Sequence, residues 1–186
     1  MIKQFIFCIL ILFIAACDPQ GDRNTNTKKR DNKGQPIYPK GPRNETMESN
    51  ADGDAAAFMY SAALLVKVQL DLAKAAFYNS QNPKYKTQAL IVIRDYKDIQ
   101  YSLNATAAKV GLLLPEQYPM DVQEKLERIK LLKGQDFDRQ YAEEIKSGNP
   151  KIRVAFEAGT DVITDDVKNF AEQTLPVIKR HAVLNY

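Results

Sequence analysis

Beyond Gly53 the inward-type positions recur at alternating spacings of four and three residues, and that period continues to the C-terminus. Such spacing stacks side chains on one face of a helix rather than on one side of a strand. Phe58, Ala62, Leu65, Gln69, Leu72 and Ala76 form the first series. Asp52 or Asp54 stands where an N-cap carboxylate is needed, so a helix about 40 Å long is predicted to about Asn79. The break from Asn79 to Pro83 predicts a turn, with Pro83 suited to the first turn of the next helix. That second helix carries Tyr85, Ala89, Val92, Tyr96, Ile99, Leu103, Ala107 and Val110 on one face, and Gly111 ends it. Arg94, Asp95, Lys97 and Asp98 are expected on its opposite, solvent side. Two long helices joined by so short a turn predict antiparallel neighbours in a bundle.

After a connection containing Pro115 and Pro119, a third helix is predicted from about Asp121 to Lys133, with Val122, Leu126 and Ile129 inward and Gly134 at its end. Phe137, Tyr141 and Ile145 define a fourth, from Gln135 to Ser147. Gly148, Asn149 and Pro150 should interrupt or kink it, because proline removes a backbone donor and clashes with the preceding turn. Helix resumes to about Ala158, breaks at Gly159 and Thr160, and a last helix begins near Thr164 with Val167, Phe170, Thr174, Val177, His181 and Leu184 on one face and a bend at Pro176. No segment alternates as a strand does, so the fold class is all-α.

The pattern before Gly53 is of another kind. A basic start at Lys3 leads into an apolar run to Ala16, as in a secretory signal peptide, and the run is too short to span a bilayer. Ile14, Ala15 and Ala16 followed by Cys17 resemble the bacterial lipobox, in which the cysteine is lipidated and becomes the first residue after cleavage. The alternative is an ordinary secretory signal with an incidental cysteine. From Asp18 to Gly53 polar residues, glycine and proline dominate, and so few apolar side chains cannot offset the entropy of ordering the chain. The expected organisation is a lipoprotein signal peptide over residues 1–16, a lipidated cysteine with a disordered tether over 17–53, and a helical domain over 54–186. Such a tether has a root-mean-square span of about 30–36 Å.

Charge and composition narrow the chemistry. Lys and Arg number 26 against 23 Asp and Glu, interspersed rather than blocked, which argues against nucleic acid as a partner. Of the two cysteines, Cys8 leaves with the signal and Cys17 is the lipidation candidate, so no disulfide or free thiol is expected. The one histidine, His181, lies on an apolar face and reads as a hydrogen-bonded structural residue. Asp138, four residues after Gly134, reads as a carboxylate that caps or fixes the start of a helix. Tyr141, one turn on, reads as core with its hydroxyl reaching the surface. No catalytic residue, metal ligand set or cofactor is assigned: a di-iron site of the bundle type needs histidines on two helices, and the residue three before His181 is Ile178.

Asp54 and Phe58, Asn82 with Pro83, Gly111 with Leu114 and Pro115, Leu132, Gly134, Phe137 with Asp138 and Tyr141, and finally Phe170 with Ala171, Leu175 with Pro176 and His181 together resemble the exported bacterial bundles of domain of unknown function 4142. The resemblance covers nearly all of residues 54–186 and implies a ferritin-like, antiparallel four-helix-type bundle with an extra short helix. Where that family has histidines, this chain has Tyr96 after Asp95, and Asn149; His181 alone remains of three. The functional expectation is a non-catalytic, lipid-anchored bundle of the bacterial cell envelope, facing the periplasm. It would bind the membrane through Cys17, and an envelope protein is its possible partner. The alternative is a ferritin-like metal or redox protein that relies on Glu143, Glu144, Asp95 and Glu172.

Overall fold

A computed structural model describes residues 51–183. Cys17, the residues before Ala51 and Leu184 fall outside the described residues. Those described form five helices and no strand: α1 (Gly53–Asn79), α2 (Pro83–Lys109), α3 (Met120–Leu131), α4 (Gly134–Gly159) and α5 (Asp165–Ala182). They assemble as a helical bundle in which α1 packs on α2 and α4, α4 on α5, α5 on α2, and the short α3 on α1 and α4.

Local chemistry sets most helix ends. The Asp52 carboxylate accepts hydrogen bonds from the N–H groups of Asp54 and Ala55 at 2.9 and 2.8 Å, satisfying two of the donors a helix start leaves free. Its other oxygen accepts from the Thr164 hydroxyl at 3.1 Å, and Thr164 in turn accepts from the Asp52 N–H, so the starts of α1 and α5 are tied together. Hydrogen bonding to Ala55 leads the contacts that hold the Asp52 carboxyl below its usual value. Asp52→Ala should therefore lower the unfolding free energy by about 1–2 kcal/mol, measured by urea titration, and no change would mean that Thr164 alone fixes this corner. Asn82 caps α2 through the Lys84 N–H at 2.9 Å, and Pro83 occupies its first turn. At the far end Gly111 has φ +73°, and Leu112 N–H to Ala107 carbonyl at 2.8 Å closes the left-handed helix stop that glycine permits.

The core is built largely from the expected faces: Tyr96, Leu103, Leu126, Phe137, Ile145 and Val167 are buried, and Ile152 and Phe156, to which no face was assigned, join them. Leu65, Val122 and Val177 are only half-buried, and Ile178 rather than Val177 fills the core from α5. By length and composition α1 is apolar enough to cross a membrane, but its apolar residues are largely packed in this core. Phe58, Phe156 and Phe170 form an aromatic cluster joining α1, α4 and α5, with ring centroids 5.3, 5.8 and 6.3 Å apart.

Two helix boundaries differ from the sequence reading. Residues 148–150 do not interrupt a helix, because α4 runs unbroken from Gly134 to Gly159 with Pro150 inside it. Pro150 is exposed, and so is Lys146, whose carbonyl is the one deprived of a partner, so water can take that bond. Gly134 does take a left-handed φ of +60°, but as the first residue of α4 rather than as a stop outside it, since only Leu132 and Lys133 separate α4 from α3.

Candidate functional site

Three of the buried polar side chains, Asp95, Asn149 and His181, come together where α2, α4 and α5 meet. Asp95 lies one position from the inward stripe of α2 and faces the last turn of α5, where its Oδ2 is 2.9 Å from His181 Nε2 and accepts from Arg180 at 2.7 Å. Arg94 donates to Oδ1 at 2.9 Å. Asp95 was expected toward water. It is instead 8 % exposed, because α5 covers the flank of α2 beside Tyr96, and Arg180 of α5 with Arg94 of α2 supplies the cations that make burial of a carboxylate tolerable. Burial alone would raise the Asp95 carboxyl, but hydrogen bonds from Arg180, Arg94 and His181 outweigh it and hold the group below the usual carboxylate value.

An ionised Asp95 is an acceptor only, so His181 must present Nε2–H to it. In the neutral ring this leaves Nδ1 as the bare nitrogen, and that atom is buried with no hydrogen-bond partner among the described residues. His181 itself is 2 % exposed. Burial pushes its imidazole down; Asp95 pulls it up, Arg180 and Arg94 push it down again, and the net direction is below the usual histidine value. Its ring meets Tyr96 edge-on at 5.4 Å, and its main-chain carbonyl accepts from Asn149 Nδ2 at 3.1 Å. Tyr96 and Asn149 are the two positions where the family resemblance led to an expectation of histidine, so the fold brings all three positions together at His181. Beside Asn149, the position of Gly148 lies close under the amide of Gln69 from α1.

The other singled-out residues lie elsewhere. Asp138 does not cap α4: the preceding residue at the helix start is Lys133, no side chain caps it, and Asp138 belongs to the second turn, beyond the free donors. Its Oδ1 is buried and accepts no hydrogen bond from the described residues. Tyr141 is core, as expected, but its hydroxyl does not reach the surface, since the residue is fully buried, stacked on Phe137 at 5.6 Å and edge-on to Tyr85 at 5.6 Å.

Among the described residues no three of His, Cys, Asp and Glu converge as a metal ligand set. Glu143 and Glu172 are exposed, and Glu144 is paired with Lys125 at 2.7 Å, so they do not join Asp95. A shallow depression on α3 is lined by Met120, Gln123, Glu124, Glu127 and Arg128, all from that one helix, and encloses nothing. On the other side of α1, Tyr118 donates to Asp71 at 3.0 Å and lies under the ammonium of Lys67, which also donates to the Glu116 carbonyl, so the connection between α2 and α3 is pinned to α1.

What the arrangement does chemically is to join α2 to α5 through one neutralised carboxylate, and α5 to α4 through the His181 main-chain carbonyl. The sequence placed His181 on an inward face but could not name its partner, because Asp95 is 86 residues away. A model of the family described as "Domain of unknown function (DUF4142)" matches residues 40–183. No curated protein and no solved structure matches the chain.

Proposed function

The chain belongs to that DUF4142 family, and we propose that it is a non-catalytic helical-bundle protein of the bacterial cell envelope, ferritin-like and four-helix in type, held to a membrane by a lipid on Cys17. It acts by binding an envelope partner or by its structural presence, standing on its tether toward the periplasm. The observation that carries the non-catalytic reading is the state of His181. A histidine that takes protons from a substrate needs a ring nitrogen within hydrogen-bond reach of that substrate. Here Nε2 is engaged by Asp95 and the whole residue is buried, while both arginines of the site are engaged by the same carboxylate. With Nδ1 sealed in the interior as well, no ring nitrogen of His181 is open to a substrate, and the site serves as a joint between helices.

Membrane attachment is assigned to Cys17 rather than to α1, whose apolar residues are needed by the core. The order of basic start, apolar run, Ile14, Ala15, Ala16 and cysteine supports that assignment. Cell fractionation of Cys17→Ser tests it. The variant should appear in the soluble fraction or remain as uncleaved precursor, and mature protein still firmly membrane-bound would sink the anchor. Mild crosslinking in intact cells tests the binding role: an adduct formed by the anchored chain and lost with Cys17→Ser would identify an envelope partner.

A further inference from the structure

His181 closes the last turn of α5 onto two other helices, and its ring is built to hold one protonation state. Nε2–H is matched by Asp95, but Nδ1 meets no partner among the described residues. Adding a proton there creates a buried N–H with nothing to receive it, which folded proteins avoid. It also adds a cation to a carboxylate that already serves two guanidinium groups. The charged groups facing the imidazole are Asp95 and Arg94 from α2 and Arg180 from α5 itself. From α2 the phenol of Tyr96 also contacts it; α4 presents only the neutral amide of Asn149, and the α1 side chain at this level is the neutral Gln69. No second carboxylate from α4 or α1 balances the extra charge among these contacts.

We propose that His181 is an acid-operated latch: protonation of its ring releases the C-terminal turn of α5 from Asp95 on α2 and Asn149 on α4, while the body of the bundle stays folded. The release is local because the latch sits at the end of α5. The rest of that helix is held separately, through Phe170 in the aromatic cluster and through Thr164 at its start. The direction of the imidazole shift agrees. Folding favours the neutral ring, so the latch is fully closed above the unfolded histidine value of about 6.5 and weakens as pH falls from there to the lower, folded value. This inference does not depend on the membrane anchor, and its test is independent of fractionation.

Because the chain has a single histidine, its imidazole resonance is identified without mutation. The full chain in detergent micelles would be titrated by NMR from pH 8 downward, with hydrogen exchange followed by mass spectrometry on matched samples. The expected result is an imidazole midpoint below that of a free histidine, and loss of protection in the α5 C-terminal turn at that same midpoint, with α1 and α2 still protected. Arg180→Gln removes one opposing cation from a largely exposed position and should move both midpoints to higher pH together. His181→Gln, if it folds, should abolish the local transition. A midpoint at or above the free value, protection unchanged through the titration, loss of protection in all helices at once, or an Arg180→Gln midpoint that stays put would each overturn the latch.

Discussion

Asp95→Ala is expected to lower the unfolding free energy by about 2–4 kcal/mol, which is large against the total stability of a domain of this size. Removing one member of a buried charged pair costs about 3–5 kcal/mol when the remaining charge stays trapped. Here the charges left behind differ in their escape. Arg94 and Arg180 are 69 % and 58 % exposed and can turn to water, so their loss of a partner is cheap. The His181 side chain is fully buried and cannot, so its Nε2–H is left without an acceptor beside a small void. Arg94→Gln should by the same reasoning cost under about 1 kcal/mol. Asp95→Asn separates charge from shape: it keeps the volume and one acceptor, and should fall between the wild type and alanine. The carboxyl of Asp95 is held below its unfolded value, so its own titration withdraws none of its contribution above about pH 4 and removes it as pH falls through the folded value. Urea titrations at pH 7 and at pH 3 measure both parts, and the stability gap between wild type and Asp95→Asn should narrow at the lower pH. A loss under about 1 kcal/mol for Asp95→Ala at pH 7 would mean that the link between α2 and α5 contributes no stability.

The helix ends that could be read from sequence are those whose cause is local. The Asp52 bonds to Asp54 and Ala55, the Asn82 cap with Pro83, and the left-handed turn at Gly111 each act within a few residues, so cause and effect are visible in the same stretch. The inward faces were legible for the same reason, since spacing along one helix decides them. The interruption expected at Pro150 fails because it assumes a carbonyl that cannot find another partner, and Lys146 is an exposed residue. Asp138 misled because its position was counted from a glycine assumed to stand outside the helix, whereas Gly134 is inside. Asp95 was misplaced for a deeper reason. Its burial depends on Arg180 and His181, 85 and 86 residues on, and nothing on α2 records that α5 will bring two donors to that flank. What hid the site is therefore the usual blindness of periodicity to charge that is neutralised across helices. One signal lies in the sequence: a lone histidine on an apolar face must find an acceptor, and Asp95 adjoins the clearest apolar stripe.

Gly159→Ala should destabilise the bundle by about 1–3 kcal/mol although it adds a single methyl group near the end of α4. A Cβ at that position would lie 2.5 Å from Phe58 Cε2 and 2.6 Å from Cζ, well inside contact distance. The ring cannot simply withdraw. It stands edge-on to Phe156, tilted at 89°, and leans on Phe170 on another side, while Phe156 and Phe170 hold each other at 5.8 Å. An alanine at a helix end ordinarily stabilises by restricting the unfolded chain, so a destabilising sign isolates the packing clash from the entropy effect. Phe58→Leu supplies the cross-check. It removes the two ring atoms nearest the new methyl, at its own cost of about 1–2 kcal/mol for the lost aromatic contacts. If the close approach is the cause, adding Gly159→Ala to Phe58→Leu should cost at least about 1 kcal/mol less than adding it to the wild type, because neighbours that share a contact are not additive. Thermal or urea unfolding of the four proteins in the cycle measures this, and strictly additive losses would show that Phe58 does not hold α4 at Gly159.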